Sequence, residues 1–353
     1  MSGHIKVLLL AETWAGVGGV QRYLRGVKEN LGIEVKVLSP QTRRFFWPVI
    51  RPAWLPLFIY LWRKAKRKEF EVLLCGKALF EGLAGYYLKK HLGVPYVVFT
   101  YAMEISVWSR DEKVKRKMQR SLLNADRVVY INEITKRHLR ELGVKEERLI
   151  KVQPGVEFEK HKFKSTKHKQ RYVLSVGRLI PRKGFDTLIE AFSQLDQVQF
   201  GDVELWIAGD GPDLTRLEQA AEDSWINKSV KFLGDVPDER LQELYAGAEV
   251  FAMTPREIDG DFEGFGMVYL EAAAHGVPSV GTKTGGVPEA VTNERTGILV
   301  EPNNPNAAAV ALMRLLANNE QRERMGRQAQ LRAQESFSWE EQIAPLRRAL
   351  QAL

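Results

Sequence analysis

The chain is 353 residues long, and its 44% hydrophobic and 27% charged residues are typical of a globular protein large enough for two domains. Its one cysteine, Cys75, excludes an internal disulfide and fits a reducing compartment, and no uninterrupted apolar stretch approaches the roughly 20 residues of a transmembrane helix. The first 165 residues hold 32 Lys and Arg against 16 Asp and Glu, whereas the rest hold 20 against 28. This asymmetry predicts that the first half meets an anionic partner, and charge alone leaves both nucleic acid and an anionic membrane open.

Short apolar runs alternate with helical patterns in the first half. The run at 5–11 is too short for a signal peptide and predicts a buried first strand. The alternation as a whole predicts a mostly parallel sheet covered by helices. The predicted strands are 5–10, 34–38, 72–74, 96–100, 127–131 and 149–152, and the predicted helices are 19–31, 77–91, 111–124 and 133–142.

A glycine loop follows the first predicted strand and opens the first helix. It resembles glycine loops whose backbone amides approach a phosphate, and this resemblance implies that role for Gly18 and Gly19. A tight turn is the alternative, because the full G-x-G-x-x-G dinucleotide pattern is missing.

The segment from Arg43 to Lys68 combines aromatic side chains with basic flanks. This composition is typical of a segment that lies in the interface of an anionic membrane. Three prolines and Arg51 exclude a spanning helix. The alternative is a loop and helix packed on the first domain. A basic run at 113–117 is a candidate extension of the same face.

Two candidate site residues follow the predicted strand at 96–100. Tyr101 and Glu104 stand at the carboxyl end of that strand, where ligands bind in parallel sheets. A phenol donates hydrogen bonds but titrates near 10, so Tyr101 is a poor proton shuttle at neutral pH.

A second alternating series begins at Tyr172, after a polar segment at 158–170 that is predicted to be a linker. The predicted strands are 172–176, 204–208, 231–233, 250–253, 279–281 and 297–300. The sequence after Asn303 has a helical pattern, and Ser338 is a candidate N-cap of a last helix.

The segment 176–184 places Arg178 and Lys183 on a loop after a strand. Two cations there can neutralise a leaving diphosphate. Arg182 is interpreted as their solvent-facing neighbour. The alternative for Arg178 and Lys183 is a surface pair of cations, which is common in a basic protein.

Glu263 and Glu271 flank the most informative segment of the chain. Gly264, Phe265, Gly266 and Met267 stand at the start of a predicted helix, whose N-terminus carries roughly +0.5 of an elementary charge and suits a diphosphate. Carboxylates accept strong hydrogen bonds from hydroxyls. Phosphates in the middle and hydroxyls at both ends indicate a sugar-nucleotide site.

The letters D-x-D at 259–261 spell a pattern that ligates a divalent metal ion in some other enzymes. A polar loop is the simpler explanation, and the six histidines show no metal-ligand spacing. No metal site and no cofactor are expected.

Four segments in one order resemble the retaining glycosyltransferases of family 4, which have the GT-B fold. They are 176–184, 208–212, 263–271 and the pair of turns at 275–278 and 285–289. At Tyr101 the chain departs from the histidine that many members carry, which puts the role of that position in question.

The resemblance implies an α/β fold of two Rossmann-like domains facing each other across a cleft. Residues 1–165 are then the acceptor-binding domain, 166–336 the nucleotide-sugar-binding domain, and 337–353 a helix that returns to the N-terminal domain. Arg178 and Lys183 are implied to bind the diphosphate.

In the same family pattern, Glu263 holds the hydroxyls of the transferred sugar and Glu271 the ribose. The match is nearest to mannosyltransferases that act on lipid-linked acceptors, the phosphatidylinositol mannosyltransferases included. It implies hexose transfer, with GDP-mannose as the preferred donor and a UDP sugar as the alternative.

The expected protein is thus a retaining, metal-independent glycosyltransferase in the cytoplasm, peripheral on the inner face of the membrane, with a lipid-linked or glycan acceptor. A transferase acting on a soluble acceptor and a non-catalytic binding protein of the same fold remain the alternatives. The sequence contains no recognisable nucleic-acid-binding module, so no nucleic-acid partner is expected.

Overall fold

A computed structural model describes residues 5–11, 18–39, 55–106, 110–157, 170–224 and 226–353. The chain forms two compact units, of which one is Met1–Gly155 with Trp339–Leu353 and the other is Val156–Ser338. The predicted domain boundary at 165 and nearly all of the predicted linker lie outside the described residues.

The first unit holds a six-stranded parallel sheet in the order β2-β1-β3-β4-β5-β6. Its strands are β1 (Val7–Leu10), β2 (Val35–Leu38), β3 (Val72–Cys75), β4 (Tyr96–Phe99), β5 (Arg127–Tyr130) and β6 (Leu149–Lys151). Its helices are α1 (Gly19–Asn30), α2 (Leu55–Lys66), α3 (Phe80–Leu92), α4 (Ala102–Ser106), α5 (Glu112–Asn124), α6 (Glu133–Glu141) and, at the end of the chain, α15 (Trp339–Gln351).

Helices cover the central strands of this sheet on both faces. Every residue of β1, β3 and β4 is buried, as expected for apolar strands of a parallel sheet. On one face α2, α3 and α5 pack together, and on the other α1 packs against α15. Residues 55–66 of the aromatic and basic segment therefore form a helix of the first unit, while 43–54 lie outside the described residues.

The second unit holds another six-stranded parallel sheet, in the order β12-β11-β10-β7-β8-β9. Its strands are β7 (Arg171–Val176), β8 (Val203–Ala208), β9 (Val230–Gly234), β10 (Val250–Ala252), β11 (Ser279–Thr282) and β12 (Gly297–Val300). Its helices are α7 (Phe185–Ser193), α8 (Gln197–Phe200), α9 (Leu214–Asp223), α10 (Asp238–Gly247), α11 (Met267–Ala274), α12 (Val287–Ala290), α13 (Pro305–Ala317) and α14 (Asn319–Ser336).

The strand order of the second sheet reverses between β7 and β10. This is the order of a Rossmann fold, in which ligands bind beyond the carboxyl ends of the strands at the reversal. Two buried apolar clusters, one on each face, hold the sheet. The predicted α/β class with two Rossmann-like domains is confirmed.

Candidate functional site

Two glycine turns meet where β7 and β8 end, because these strands pair in register to their last residues. A Cβ at Gly209 would lie 2.1 Å from the carbonyl oxygen of Gly177, and one at Gly211 would lie 2.3 Å from that of Leu179. A larger residue at either position would push the turns apart. The contact fixes the path of the loop that carries Arg178.

The loop then forms a short helical turn at Pro181–Lys183 and is fastened to the end of β10. Thr254 Oγ1 donates a hydrogen bond of 2.6 Å to the carbonyl oxygen of Gly184. Gly184 has a φ of 72°, and a Cβ there would come within 1.8 Å of the Thr254 carbonyl oxygen. Lys183 is thus placed at the reversal point of the second sheet.

A tight hairpin turn follows β10. Ile258 and Asp261 exchange two backbone hydrogen bonds, of 3.0 and 2.8 Å. Asp259 and Gly260 between them have positive φ angles of 49° and 78°, as a type I′ turn requires. The D-x-D letters therefore build a turn that sets Asp261 beside the Lys183 loop. No group of three or more His, Cys, Asp or Glu side chains suited to a metal ion occurs among the described residues.

Four charged side chains meet between this turn and the loop. Lys183 Nζ lies 2.7 Å, and Arg182 Nη1 2.9 Å, from the same oxygen of Glu263, Oε2. Arg182 Nε lies 3.1 Å from Asp261 Oδ2. The Arg182 side chain is only 17% exposed. The interpretation of Arg182 as a solvent-facing neighbour is therefore wrong, because two carboxylates from a distant part of the sequence draw it inward.

The cations decide the ionisation of Glu263. Burial alone would raise the pKa of this carboxyl, but Lys183 and Arg182 outweigh it and lower the pKa to about 2. For Asp261, burial raises the pKa, against the lowering effect of Arg182. Glu263 therefore carries a full negative charge at neutral pH and accepts hydrogen bonds only.

The segment after Glu263 turns sharply into α11. Gly266 precedes the helix with a φ of 84°. A Cβ at Gly286 would lie 2.2 Å from the Gly264 carbonyl oxygen, and the Gly286 amide donates to the Glu263 carbonyl oxygen at 2.8 Å. The predicted turn at 285–289 thus supports the predicted phosphate turn. Phe265 is buried against Phe337, so only its backbone can serve a ligand.

Glu271 lies in α11 and is 8% exposed. It accepts a hydrogen bond of 2.8 Å from Tyr245 Oη at its Oε2. His275 Nδ1 lies 2.8 Å from the Glu271 carbonyl oxygen, and its ring stacks on that of Tyr245. Nothing in the sequence marks Tyr245 as a site residue, because a tyrosine among the leucines of a helix is usually a core residue.

Arg178 is exposed and lies outside the charge cluster of Glu263. No ion pair of Arg178 occurs within the described part of the chain. Its guanidinium is therefore placed on the loop at the end of β7 with its charge uncompensated, which suits an anionic ligand.

In the first unit, Tyr101 follows β4 and is 9% exposed. Its ring packs edge-on against Tyr23, with ring centroids 6.1 Å apart, and burial raises the pKa of its phenol well above 10. Among the described residues its hydroxyl has no hydrogen-bond partner. Tyr101 is thus a neutral phenol whose buried hydroxyl is an unused hydrogen-bond donor among the described residues.

Two buried carboxylates accompany Tyr101. Glu104 is 3% exposed and accepts a hydrogen bond of 2.6 Å from the Ala78 amide. Glu81, which the sequence analysis missed, is 2% exposed in the first turn of α3. Both carboxylates act to raise the pKa of Tyr101, so the three groups share one neighbourhood at the carboxyl edge of the first sheet.

The glycine loop of the first unit is partly described. Gly18 caps α1 and accepts a backbone hydrogen bond from Arg22, and Gly19 is the first residue of the helix. Residues 12–17, which form the rest of this loop, lie outside the described residues.

Within the described residues, no helix is both long and apolar enough to cross a bilayer.

A Rossmann sheet with cations and carboxylates gathered at its reversal point is the arrangement of a nucleotide-binding α/β protein. Residues 157–332 match the family model "Glycosyl transferases group 1", and residues 17–160 match "Glycosyltransferase Family 4". The chain belongs to the family 4 glycosyltransferases of GT-B fold.

Two curated relatives show how the similarity is distributed. A GDP-mannose-dependent alpha-(1-6)-phosphatidylinositol monomannoside mannosyltransferase of Mycolicibacterium smegmatis is 32% identical over 69% of this chain and 66% of its own length. An uncharacterized glycosyltransferase of Methanocaldococcus jannaschii is 27% identical over 92% of both chains. The chain spans between 40% and 66% of the length of the first three mannosyltransferases that it matches.

Solved structures share the fold over the whole chain. The crystal structure of Anabaena HepE in complex with UDP and glucose superposes with a TM-score of 0.81 at 20% identity, covering 99% of this chain and 100% of that one. At this identity the likeness establishes the fold alone.

Proposed function

We propose that the chain is a retaining glycosyltransferase that moves a hexose from a nucleotide-diphosphate sugar to an acceptor hydroxyl. The contact between Lys183 and Glu263 carries the proposal. It sets a cation suited to phosphate 2.7 Å from a carboxylate suited to hydroxyls, directly before the N-terminus of α11. A sugar bonded to a diphosphate needs these two groups side by side.

The leaving diphosphate would be held from two directions. Arg178 and Lys183 approach from the loop after β7, and the backbone amides of 264–267 approach from the start of α11. Negative charge grows on the leaving oxygen as the glycosidic bond breaks, so donors fixed in advance stabilise the transition state more than the ground state. Because these groups supply positive charge, the proposed reaction needs neither a metal ion nor a cofactor.

The carboxylates of Glu263 and Glu271 would bind the two ends of the donor, the sugar and the ribose. Glu263, ionised at neutral pH, accepts hydrogen bonds from hydroxyls of the transferred sugar. Glu271, oriented by Tyr245, accepts them from the ribose. Neither carboxylate is assigned a covalent step.

Retention requires that the new bond form on the face that the leaving group vacates. The acceptor oxygen bonds to the anomeric carbon as the bond from that carbon to the phosphate oxygen breaks. The acceptor proton passes to the departing phosphate oxygen on the same face. The protein then contributes positioning and charge stabilisation.

The first unit would bind the acceptor. Tyr101 offers a neutral donor, and Glu104 an acceptor, at the carboxyl edge of the first sheet. The amides of Gly18 and Gly19, at the start of α1, would suit an anionic ligand.

GDP-mannose is the proposed donor. The support is the group of mannosyltransferase relatives, which are 32% to 38% identical and are named for GDP-mannose and phosphatidylinositol mannosides. A UDP sugar is the alternative, because HepE was crystallised with UDP and glucose. A lipid-linked or glycan acceptor follows from the same relatives.

Peripheral attachment to the inner face of the membrane is proposed for the face formed by α2, α3 and α5. Phe58 of α2 lies against Tyr87 of α3, with ring centroids 6.2 Å apart, and Lys66 Nζ lies 4.2 Å above the Trp62 ring. Arg120 of α5 donates to Tyr87 Oη at 3.4 Å. Aromatic rings among exposed cations suit the headgroup layer of an anionic bilayer. The exposed cations of α2, of the turn after it and of α5 are Arg63, Lys66, Arg67, Lys68, Lys113, Arg116, Lys117 and Arg120.

Thermal unfolding with GDP, UDP or ADP, each alone and as its sugar conjugate, tests the donor assignment. A rise in Tm with one nucleotide family only names the donor. Transfer to a phosphatidylinositol mannoside in vesicles, followed by NMR of the anomeric carbon, then tests the acceptor and the retention. Inversion at that carbon would contradict the proposed mechanism.

A non-catalytic binding protein of the same fold is the second candidate. It would bind the nucleotide sugar without hydrolysing or transferring it. Slow hydrolysis of the bound donor by the purified protein, abolished in Lys183→Ala, excludes this candidate.

A further inference from the structure

Arg182 is held at both its backbone and its side chain. Its carbonyl oxygen accepts a hydrogen bond of 2.9 Å from the Arg256 amide. Its guanidinium pairs through Nη1 with Glu263 and through Nε with Asp261. A planar guanidinium that binds two carboxylates at once has little freedom to turn toward a third anion.

Lys183 shares Glu263 with Arg182 but has no second carboxylate within ion-pair distance in the described residues. A lysine is a point charge on a flexible stem, so it can leave one anion for another. Without a ligand the four groups balance, with two cations against two carboxylates. A diphosphate that binds here must draw a cation away from Glu263, and Lys183 is the one able to move.

We propose that Arg182, fixed by Asp261, is a positioning residue that keeps Glu263 aimed at the transferred sugar while Lys183 moves from Glu263 to the diphosphate. This inference rests on the proposed function of the site. The hairpin turn at Ile258–Asp261 would then serve the site, because it places the carboxylate of Asp261 beside Arg182.

The affinity for the donor then has two separable parts, one from the nucleoside diphosphate and one from the sugar. In the proposed site the nucleoside diphosphate is held by Arg178, Lys183 and the amides before α11, and Arg182 is not one of its ligands. The additional contribution of the sugar depends on Glu263, and therefore on Arg182. A variant of Arg182 should lose the second part and keep the first.

The experiment compares Arg182→Gln, Arg182→Lys and Asp261→Asn with the unchanged protein. Calorimetry measures the Kd of GDP and of GDP-mannose, with UDP and UDP-glucose as the second pair, and donor hydrolysis gives kcat. Arg216→Gln is the matched control, because Arg216 pairs with Asp186 and Asp213 in the same unit and does not touch Glu263.

In both Arg182 variants we expect the affinity for the nucleoside diphosphate to stay within about threefold, while the added affinity of the sugar and kcat fall by about tenfold or more. Arg182→Lys keeps the charge but loses the fork, so it should resemble Arg182→Gln. Asp261→Asn should show a smaller loss of the same kind, and Arg216→Gln none.

An equal loss for the diphosphate and the sugar conjugate would make Arg182 a phosphate ligand and overturn the inference. Wild-type behaviour of Arg182→Gln would do the same, with the proposed function intact. Absence of any nucleotide-sugar binding by the unchanged protein would overturn both.

Discussion

The hydroxyl of Tyr245 donates a 2.8 Å hydrogen bond to Oε2 of Glu271, and both side chains are buried in the second unit. The phenol therefore sets the orientation of the carboxylate before any ligand binds. A buried carboxylate that has to reorient would lose part of its binding energy to ordering. Tyr245 is thus expected to act on the nucleotide through Glu271 and not by direct contact.

Tyr245→Phe should weaken binding of GDP or UDP by about tenfold, because one charge-assisted hydrogen bond is worth roughly 1.5 kcal/mol. Binding of the 2′,3′-dideoxy nucleotide should be unchanged, since it lacks the hydroxyls that Glu271 would accept. Calorimetric Kd values for the two ligands measure the difference.

Tyr172→Phe is the matched control for this variant. Tyr172 is another buried tyrosine of the second unit, and its hydroxyl donates to the Leu244 carbonyl oxygen and not to Glu271. The assignment of Glu271 to the ribose is untenable if Tyr245→Phe weakens both nucleotides equally.

Glu263→Gln should separate nucleotide binding from transfer. Removing the charge leaves Lys183 and Arg182 with one carboxylate fewer, so the free nucleoside diphosphate should bind as tightly as before or more so. The sugar loses its oriented acceptor, and kcat should fall by about a hundredfold. Calorimetry and donor turnover measure the two effects. Glu257→Gln is the control: Glu257 is exposed and directly precedes the hairpin, so this change should alter neither the diphosphate affinity nor kcat. A loss of diphosphate affinity in Glu263→Gln as large as the loss of kcat would contradict the assignment of Glu263 to the sugar.

The acid side of the stability profile should report the same ion pairs. The pKa of Glu263 is lowered from 4.5 to about 2, so its stabilising contribution is complete above pH 4.5 and is lost as the pH falls toward 2. The difference in unfolding free energy between the unchanged protein and Glu263→Gln, measured by urea unfolding, should shrink by roughly 3 kcal/mol across that interval. A difference that stays constant from pH 5 to pH 2.5 would mean that the cations do not hold Glu263.

The fold could be predicted from the sequence because its central strands are buried on both faces. β3 and β4 are continuous apolar runs bounded by polar segments, and such runs predict strands of a parallel sheet without knowledge of their neighbours. Where strands are followed by glycine turns, as at Gly177 and Gly209, the loops at the carboxyl edge could be predicted as well.

The side-chain partners could not be predicted, because they depend on contacts between distant segments. Arg182 meets Glu263 across 81 positions of sequence, and nothing local to Arg182 distinguishes it from a solvated cation. Tyr245 meets Glu271 across 26 positions, and a helical tyrosine beside Leu241 and Leu244 has the pattern of a core residue. Local motifs identify the groups that touch a ligand more readily than the groups that orient them.

Membrane attachment should depend on the exposed cations of α2 and of the turn that follows it, Arg63 and Arg67 among them. Arg63→Ala/Arg67→Ala should weaken binding to vesicles containing phosphatidylglycerol by roughly 2 kcal/mol, or about thirtyfold, at low salt. Cosedimentation with anionic and neutral vesicles measures it. Lys228→Ala/Arg324→Ala removes two exposed cations from the second unit and should have no effect. If both double variants lose the same vesicle affinity, the attraction depends only on the net charge of the protein and not on this face.

The packing of the last helix on the first unit depends on the absence of a side chain at Gly26, as it does at Gly155. A Cβ at Gly26 of α1 would lie 1.9 Å from Cζ2 of Trp339, the first residue of α15. Gly26→Ala should therefore destabilise the first unit by about 1–3 kcal/mol, although alanine favours an isolated helix by about 1 kcal/mol.

Trp339→Leu on its own should also destabilise the first unit, because the ring contact with Tyr23 is lost. In the double variant the clash disappears, so the two changes should cost clearly less together than the sum of the single costs in urea unfolding followed by circular dichroism. Simple additivity would show that α1 and α15 do not press on each other at this point.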